Sequence, residues 1–240
     1  MEATTPIRSV PAAGGPQQRR AGGERALVPQ GLLRASGTLG LAAVLASSLL
    51  LAAGAASAPT QYVPARTGGW PGWLAGPLSG LRVGLPGDRF QTLMLVMCGG
   101  YALALLGARS LAPALLAGAI VLAHVIYSLG PPLISQDVFG YIAFGRLGAL
   151  HGLDPYTHFP SQAPTDPTFH FIGWPFQHSP YGPLFTLLSY AIAPLGVAAD
   201  VWVFKGIAAL SSLGAVALIA RAAGAAGHSR RWAAAFVGLN

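Results

Sequence analysis

One short run carries two acids, a guanidinium, an imidazole and two phenols: Ser135-Gln136-Asp137-Val138-Phe139-Gly140-Tyr141, then Gly145-Arg146, then His151-Gly152-Leu153-Asp154-Pro155-Tyr156. Asp137 is the candidate general base. It stands where a long apolar stretch gives way to a polar loop. A carboxylate at such a lip is poorly solvated, which suits it to take a proton from a substrate hydroxyl. Ser135 or Asp137 would also serve as the cap of a helix beginning near Val138, and a cap alone accounts for an acid at this place. On that helix Tyr141 falls close to Asp137 in angle. Arg146 falls on the opposite face, and His151 returns to the Asp137 face roughly 20 Å further along the axis. Neither Arg146 nor His151 can therefore meet Asp137 through the helix alone.

A second cluster follows in the same loop. Trp174 and Phe176 are able to stack on a sugar ring or to anchor the loop in a membrane interface. Asp154-Pro155-Tyr156 and Tyr181-Gly182-Pro183 are turn signals, the latter leading into an apolar run. The loop histidines His151, His158, His170 and His178 are separated by seven, twelve and eight residues, and none of these spacings matches a tight zinc pattern. No metal site and no cofactor is expected. No Walker A loop and no GxSxG elbow occurs.

Wholly different chemistry positions these residues. Of 240 residues 53% are hydrophobic and only 9% charged, whereas a soluble domain carries about a quarter charged residues. So little charge cannot make a water-facing surface. The net charge of +7 comes from thirteen scattered Arg and the single Lys205, which argues for orienting loop charges and against nucleic acid as a partner. The expected fold is all-α, a polytopic bundle of transmembrane helices with a large extracytoplasmic loop bearing an amphipathic or interfacial helix. Residues 1–36, rich in Pro, Gly and Arg, read as a disordered cytoplasmic tail. Spans are expected over about 37–58, 91–108, 111–134 and 203–220. The first could alternatively be a cleavable signal segment ending at Ala56-Ser57-Ala58; its many small residues suit close helix packing.

Trp70 and Trp73, in the Pro/Gly-rich connection 59–90, fit an interfacial belt. His124 lies inside the third span, where it is either functional or simply bonded to a neighbouring helix. Three crossings from a cytoplasmic N-terminus place loop 135–183 outside. Residues 184–198 are ambiguous. If they cross, Arg221, Arg230 and Arg231 end up outside, against the charge rule; if they lie in the interface, the arginines return inside. Residues 229–240 turn apolar again after Arg230 and Arg231, as a further span barely begun, and the chain reads as an N-terminal piece of a longer membrane protein.

The run from Asp137 to Tyr156, together with Ser179-Pro180-Tyr181-Gly182-Pro183-Leu184, resembles the GT-C membrane glycosyltransferases. It is most similar to the polyprenyl-phosphomannose-dependent alpha-(1→6)-mannosyltransferases of actinobacteria, which help build lipomannan and lipoarabinomannan in the cell envelope. The resemblance covers roughly residues 110–240. It implies a polyprenyl-phosphate sugar donor, a mannan or glycolipid acceptor, and an essential acid at the start of the first large outer loop, matching Asp137. It implies inversion of the donor's beta linkage, with lipid phosphate leaving. Arg146 or His151 would then meet that phosphate, and Tyr156, His178 and Tyr181 would line the acceptor side. Asp154 stands where the pattern has Asn before Pro-Tyr. The rival class is a non-catalytic membrane protein, a transporter half or an envelope-assembly scaffold. Transporters place functional charge at the midplane of their spans; here the acids gather in the loop.

Overall fold

The computed structural model describes residues 29–57 and 71–240. The expected tail up to residue 28 and Trp70 lie outside the described residues. Among the described residues every regular element is helical. Three helices are long and apolar enough to cross a membrane: α1 (Gln30–Ser57), α3 (Gly87–Gly107) and α7 (Val197–Ala225). A fourth, α4 (Pro113–Leu129), is shorter at 17 residues. Between α1 and α3 lies the one-turn helix α2 (Gly72–Ala75).

The apolar first helix starts at Gln30, seven residues earlier than residue 37, because Pro29 supplies the carbonyl that accepts from Leu32 and Leu33 N–H. It is the most enclosed of the long helices, with buried residues from Gly37 to Ala56. Its contact with α3 is backbone on backbone. A Cβ on Gly40 would stand 2.3 Å from the Ala104 nitrogen, and one on Gly107 would stand 2.3 Å from the Leu33 carbonyl oxygen. Small residues are what permit such an approach where lipid offers no hydrophobic driving force. A signal segment cleaved after Ala58 would remove the centre of this bundle. Gly40→Ala is therefore expected to cost about 1–3 kcal/mol through overpacking. Thermal unfolding in detergent checks this, with Gly118→Ala as the neutral control, since nothing lies within 4 Å of a Cβ at that position.

Residues 108–112 turn the chain from α3 into α4, the tight hairpin the sequence predicts. Pro113 occupies the first turn of α4, where its missing N–H costs nothing. His124 is satisfied within the bundle. Its Nδ1 lies 2.8 Å from the Ile120 carbonyl oxygen and its Nε2 lies 2.9 Å from Ser212 Oγ on α7, so of its two readings the structure supports the neighbour-bonded one.

The ambiguous segment 184–198 forms α6 (Pro183–Ile192), then a 3-10 turn over Ala193–Leu195. It does not cross the bundle. Two contacts fix the ends of α7. Near its start, Lys205 Nζ donates to the Gly130 carbonyl at the end of α4, and the Trp202 ring packs beside Leu129 and Gly76. Past its end, Arg231, on α8 (Arg230–Gly238), donates from Nη1 to the Leu111 carbonyl in the 108–112 hairpin at 2.7 Å. So α7 runs antiparallel to α4, and Arg221, Arg230 and Arg231 share one end of the bundle with Arg109. A ten-residue helix followed by a proline turn is too short to traverse about 30 Å of hydrocarbon, and the chain lays it against α5 (Asp137–His151) instead.

Two cores result, both drawing on α7. One unites Leu41, Ala104, Leu116, Ile120 and Val216 of the membrane-length bundle with Ala235 of α8. The other lies beneath the loop and unites Leu74, Phe139, Ile142, Phe171, Ile192, Val201 and Phe204. The second is the platform on which the site is built.

Candidate functional site

The helix expected near Val138 is α5 (Asp137–His151). Its buried residues, Phe139, Gly140, Ile142 to Gly145 and Leu147, occur all round it and not in one stripe, so it is the packed centre of the loop and not an amphipathic surface helix. Phe139 stacks on Phe171 with ring centroids 5.0 Å apart, and Tyr141 meets Tyr181 and Phe185 edge-on at 4.8 and 4.7 Å. A Cβ on Gly145 would stand 2.6 Å from the Ser189 carbonyl oxygen, which brings α6 directly onto α5. These contacts aim the first turn of α5 at a cleft.

Asp137 occupies that first turn without capping it. The N-cap position belongs to Gln136, and the Ser135 hydroxyl accepts the Asp137 N–H at 3.1 Å. Just ahead, Ser135 N–H donates to the Leu133 carbonyl at 2.8 Å across a three-residue turn centred on Ile134, whose φ is +68°. A β-branched residue rarely adopts that conformation, and holding it there costs on the order of 1–3 kcal/mol. The backbone is thus forced into a sharp corner immediately before Asp137. Among the described residues no side chain or backbone donor bonds the Asp137 carboxylate, which leaves its oxygens for something outside the fold.

The cleft holds about 220 Å³ and is lined by Asp137, Gly140, Phe144, Trp174, Gln177 and Tyr181 together with Ile172 and Pro180. Trp174 is half exposed at its rim. Burial, and then the Asp137 charge, push the Tyr181 phenol up to about 12, and the same two causes raise Tyr141. Both phenols therefore keep their protons at neutral pH and act as donors. A free carboxylate, a phenol donor, a carboxamide and an exposed indole face suit a ligand with many hydroxyls and one apolar face. The arrangement can accept a proton from one hydroxyl while holding its neighbours.

Of the six residues given catalytic or substrate-binding roles from the sequence, Asp137 and Tyr181 line this cleft, and so does Trp174, the candidate for stacking on a sugar ring. Arg146 and His151 come together elsewhere, on Asp166, a loop acid that the sequence gives no role. Arg146 Nε donates to both Asp166 oxygens at 3.0 Å, and His151 Nε2 lies 2.8 Å from Oδ2. The Thr168 N–H and hydroxyl donate to Oδ1 at 2.9 and 2.6 Å. Although burial alone would raise it, these donors, Arg146 foremost, hold the Asp166 carboxyl down at about 2. Arg146 Nη1 also donates to the Ala193 carbonyl at 3.2 Å, so this knot joins the loop to α5 and to the end of α6. Asp200 on α7 is fully buried, with neither oxygen hydrogen-bonded to any described residue.

Tyr156 works behind the cleft. Its hydroxyl donates to the Tyr181 carbonyl at 2.9 Å and lies 2.8 Å from Thr186 Oγ1, which ties the two predicted turns to each other. Asp154 Oδ1 accepts the Tyr156 N–H at 3.0 Å, making the Asp-Pro-Tyr turn. His178 is exposed and leans on the Phe159 ring at 5.4 Å. His158 bonds to Thr157 and to the Asp154 carbonyl, so the loop histidines point to different partners. Among the described residues no three His, Cys, Asp or Glu side chains are grouped to hold a metal ion. Trp73, expected at an interface, packs edge-on against Phe171 at 5.8 Å. Asp166, Gln177 and Gly140 were missed because nothing local marks them; only the Asp166-Pro167 dipeptide, a turn and helix-start signal, set Asp166 apart.

No curated protein and no solved structure matches the chain. Residues 34–240 match the family described as "Alpha-(1->6)-mannopyranosyltransferase, N-terminal domain". The match runs from within α1 to the end of α8, including the cleft and the knot behind it, and the chain belongs to this family of mannosyltransferases.

Proposed function

We propose that this chain carries the catalytic carboxylate of an enzyme that moves mannose from polyprenyl-phosphate mannose to an alpha-(1→6)-mannan or glycolipid acceptor on the extracytoplasmic face of the cell membrane. In this reading the N-terminus is cytoplasmic and the cleft opens outward. The observation that carries it is the uncommitted Asp137 carboxylate at the mouth of a helix bundle, facing a cleft with an exposed indole and a phenol donor. Asp137 takes the proton of the acceptor hydroxyl as that oxygen attacks the anomeric carbon. The bond from that carbon to the phosphate oxygen breaks on the opposite side, giving alpha from beta, and the electron pair leaves with polyprenyl phosphate. That leaving group is already anionic and stable, so no strong general acid is needed. Tyr181 and Gln177 hold acceptor hydroxyls and Trp174 lies against a ring face. Arg146, His151 and Tyr156 serve by keeping α5 and the 179–183 turn in place.

Membranes containing the full-length protein, given a labelled alpha-(1→6)-mannan acceptor, test the donor. Transfer is expected from polyprenyl-phosphate mannose and not from a sugar nucleotide when lipid-linked donor synthesis is blocked. Transfer that proceeds from the sugar nucleotide under that block would overturn the reading.

A further inference from the structure

At the end of the bundle opposite the cleft, charge is distributed in a way the transfer reaction does not use. All five acids among the described residues, Asp88, Asp137, Asp154, Asp166 and Asp200, stand at the end where α3 and α7 begin. The other end carries Arg34, Arg109, Arg221, Arg230 and Arg231, and among the described residues no acid pairs with any of them. Arg231 is occupied by the Leu111 carbonyl. Arg230 lies flat across Gly224, where a Cβ would collide with its Nε, so its guanidinium is held beside the α7 terminus. Arg221 and Arg230 face a shared recess.

Directly beside them a groove of about 410 Å³ runs between α4, α7 and α8. Its walls are Leu116, Ile120, Val121, Leu213 and Val216, with Arg230 at its mouth. A greasy channel ending on guanidinium groups that no acid among the described residues pairs suits an acyl chain continuous with an anionic phosphate headgroup. Guanidinium binds phosphate oxygens in bidentate fashion, and basic pockets between membrane helices recognise acidic lipid headgroups.

We propose that this notch binds one anionic phospholipid, its phosphate on Arg230 and Arg221 and one acyl chain along the groove. The assignment rests on the membrane-spanning reading of α4 and α7, though not on which side of the membrane the arginines face. The lipid fills the groove between α4, α7 and α8 and neutralises charge that the fold leaves open.

Native mass spectrometry of the full-length protein tests this, after reconstitution with equal amounts of phosphatidylglycerol and phosphatidylcholine of the same acyl composition. One retained phosphatidylglycerol is expected, favoured over phosphatidylcholine roughly tenfold or more. The double variant Arg221→Gln/Arg230→Gln, which leaves the Arg231 bond to Leu111 intact, should lose that preference. Arg109→Gln, which removes one charge at the same end but outside the notch, should keep it. Ala217→Phe, which fills the groove, should lose the retained lipid of both kinds. Equal retention of the two lipids overturns the proposal, as does a loss in Arg109→Gln equal to that in the double variant, which would reduce the effect to bulk attraction. Glycerol phosphate, offered as the headgroup alone, should fail to displace the lipid; displacement would mean a simple phosphate site and would also overturn it. Mannose transfer in the double variant, measured in parallel, separates a failure here from a failure of the proposed reaction, because neither arginine is near the cleft.

Discussion

Asp137→Asn in the full-length protein is expected to lower mannose transfer by about 10²–10⁴-fold, the range for losing a positioned general base. Asparagine has nearly the same shape and fits the same first turn of α5, but it cannot take the acceptor proton. The fold should not notice the change, because no described residue bonds the Asp137 carboxylate and the helix is capped by other groups. The measurement pairs initial rates in membranes with the thermal midpoint of the purified protein. A rate collapse with an unchanged midpoint is the expected outcome. If Asp137→Asn retains wild-type transfer, the base lies elsewhere. Asp137→Glu is a useful companion. It keeps the carboxylate but displaces it by a methylene, and misplacement alone is costly to an oriented reaction, so partial activity is expected. The Tyr181 phenol, held near 12 partly by the Asp137 charge, should titrate at lower pH in Asp137→Asn. That spectroscopic shift reports on proximity within the cleft independently of turnover.

Asp166→Asn should produce the largest loss of stability at any single side chain in the loop, about 3–5 kcal/mol. The reason is what it leaves behind. Arg146 is 12% exposed and gives two hydrogen bonds to this carboxylate, and removing one partner of a buried pair strands the other charge. Asp200 cannot substitute, since no hydrogen bond links it to Arg146. The loss should be read in activity as well as stability, because Arg146 also holds the end of α6 and so the wall carrying Tyr181. The pH dependence has a definite sign. The carboxyl is held near 2 in the folded protein against 3.8 ordinarily, so its contribution, about 2 kcal/mol, is complete above pH 4. It is lost as pH falls from there toward 2. Unfolding measured across that window should show a steep acid destabilisation in the wild type that Asp166→Asn lacks. A parallel slope in both proteins would remove Asp166 from this role.

Much of the architecture follows from composition. So little charge and apolar runs of twenty residues or more permit only helices in lipid, since a backbone there must satisfy its own polar groups. The small residues of α1 suited it to close packing on a neighbour, which proves to be α3, and Gly182-Pro183 marked the turn into α6. Asp137 and Tyr181 were likewise legible, as an acid and a phenol flanking turn signals at the ends of apolar runs. Partnerships were not. Periodicity along one helix could say that Arg146 and His151 do not reach Asp137, but it could not say that both reach Asp166, twenty and fifteen residues downstream of them respectively. Nor could length decide alone how α6 lies, because an apolar run of that size satisfies either a buried contact or a partial crossing. The sequence left both open; the Lys205 and Arg231 bonds to opposite ends of α4 show that α7 runs antiparallel to it. Sequence thus determined which residues are expelled from water and where the chain must turn. Which charge neutralises which, and therefore which carboxylate remains free to act, was decided only when separate helices met, since Coulomb pairing depends on distance in space and not on separation along the chain.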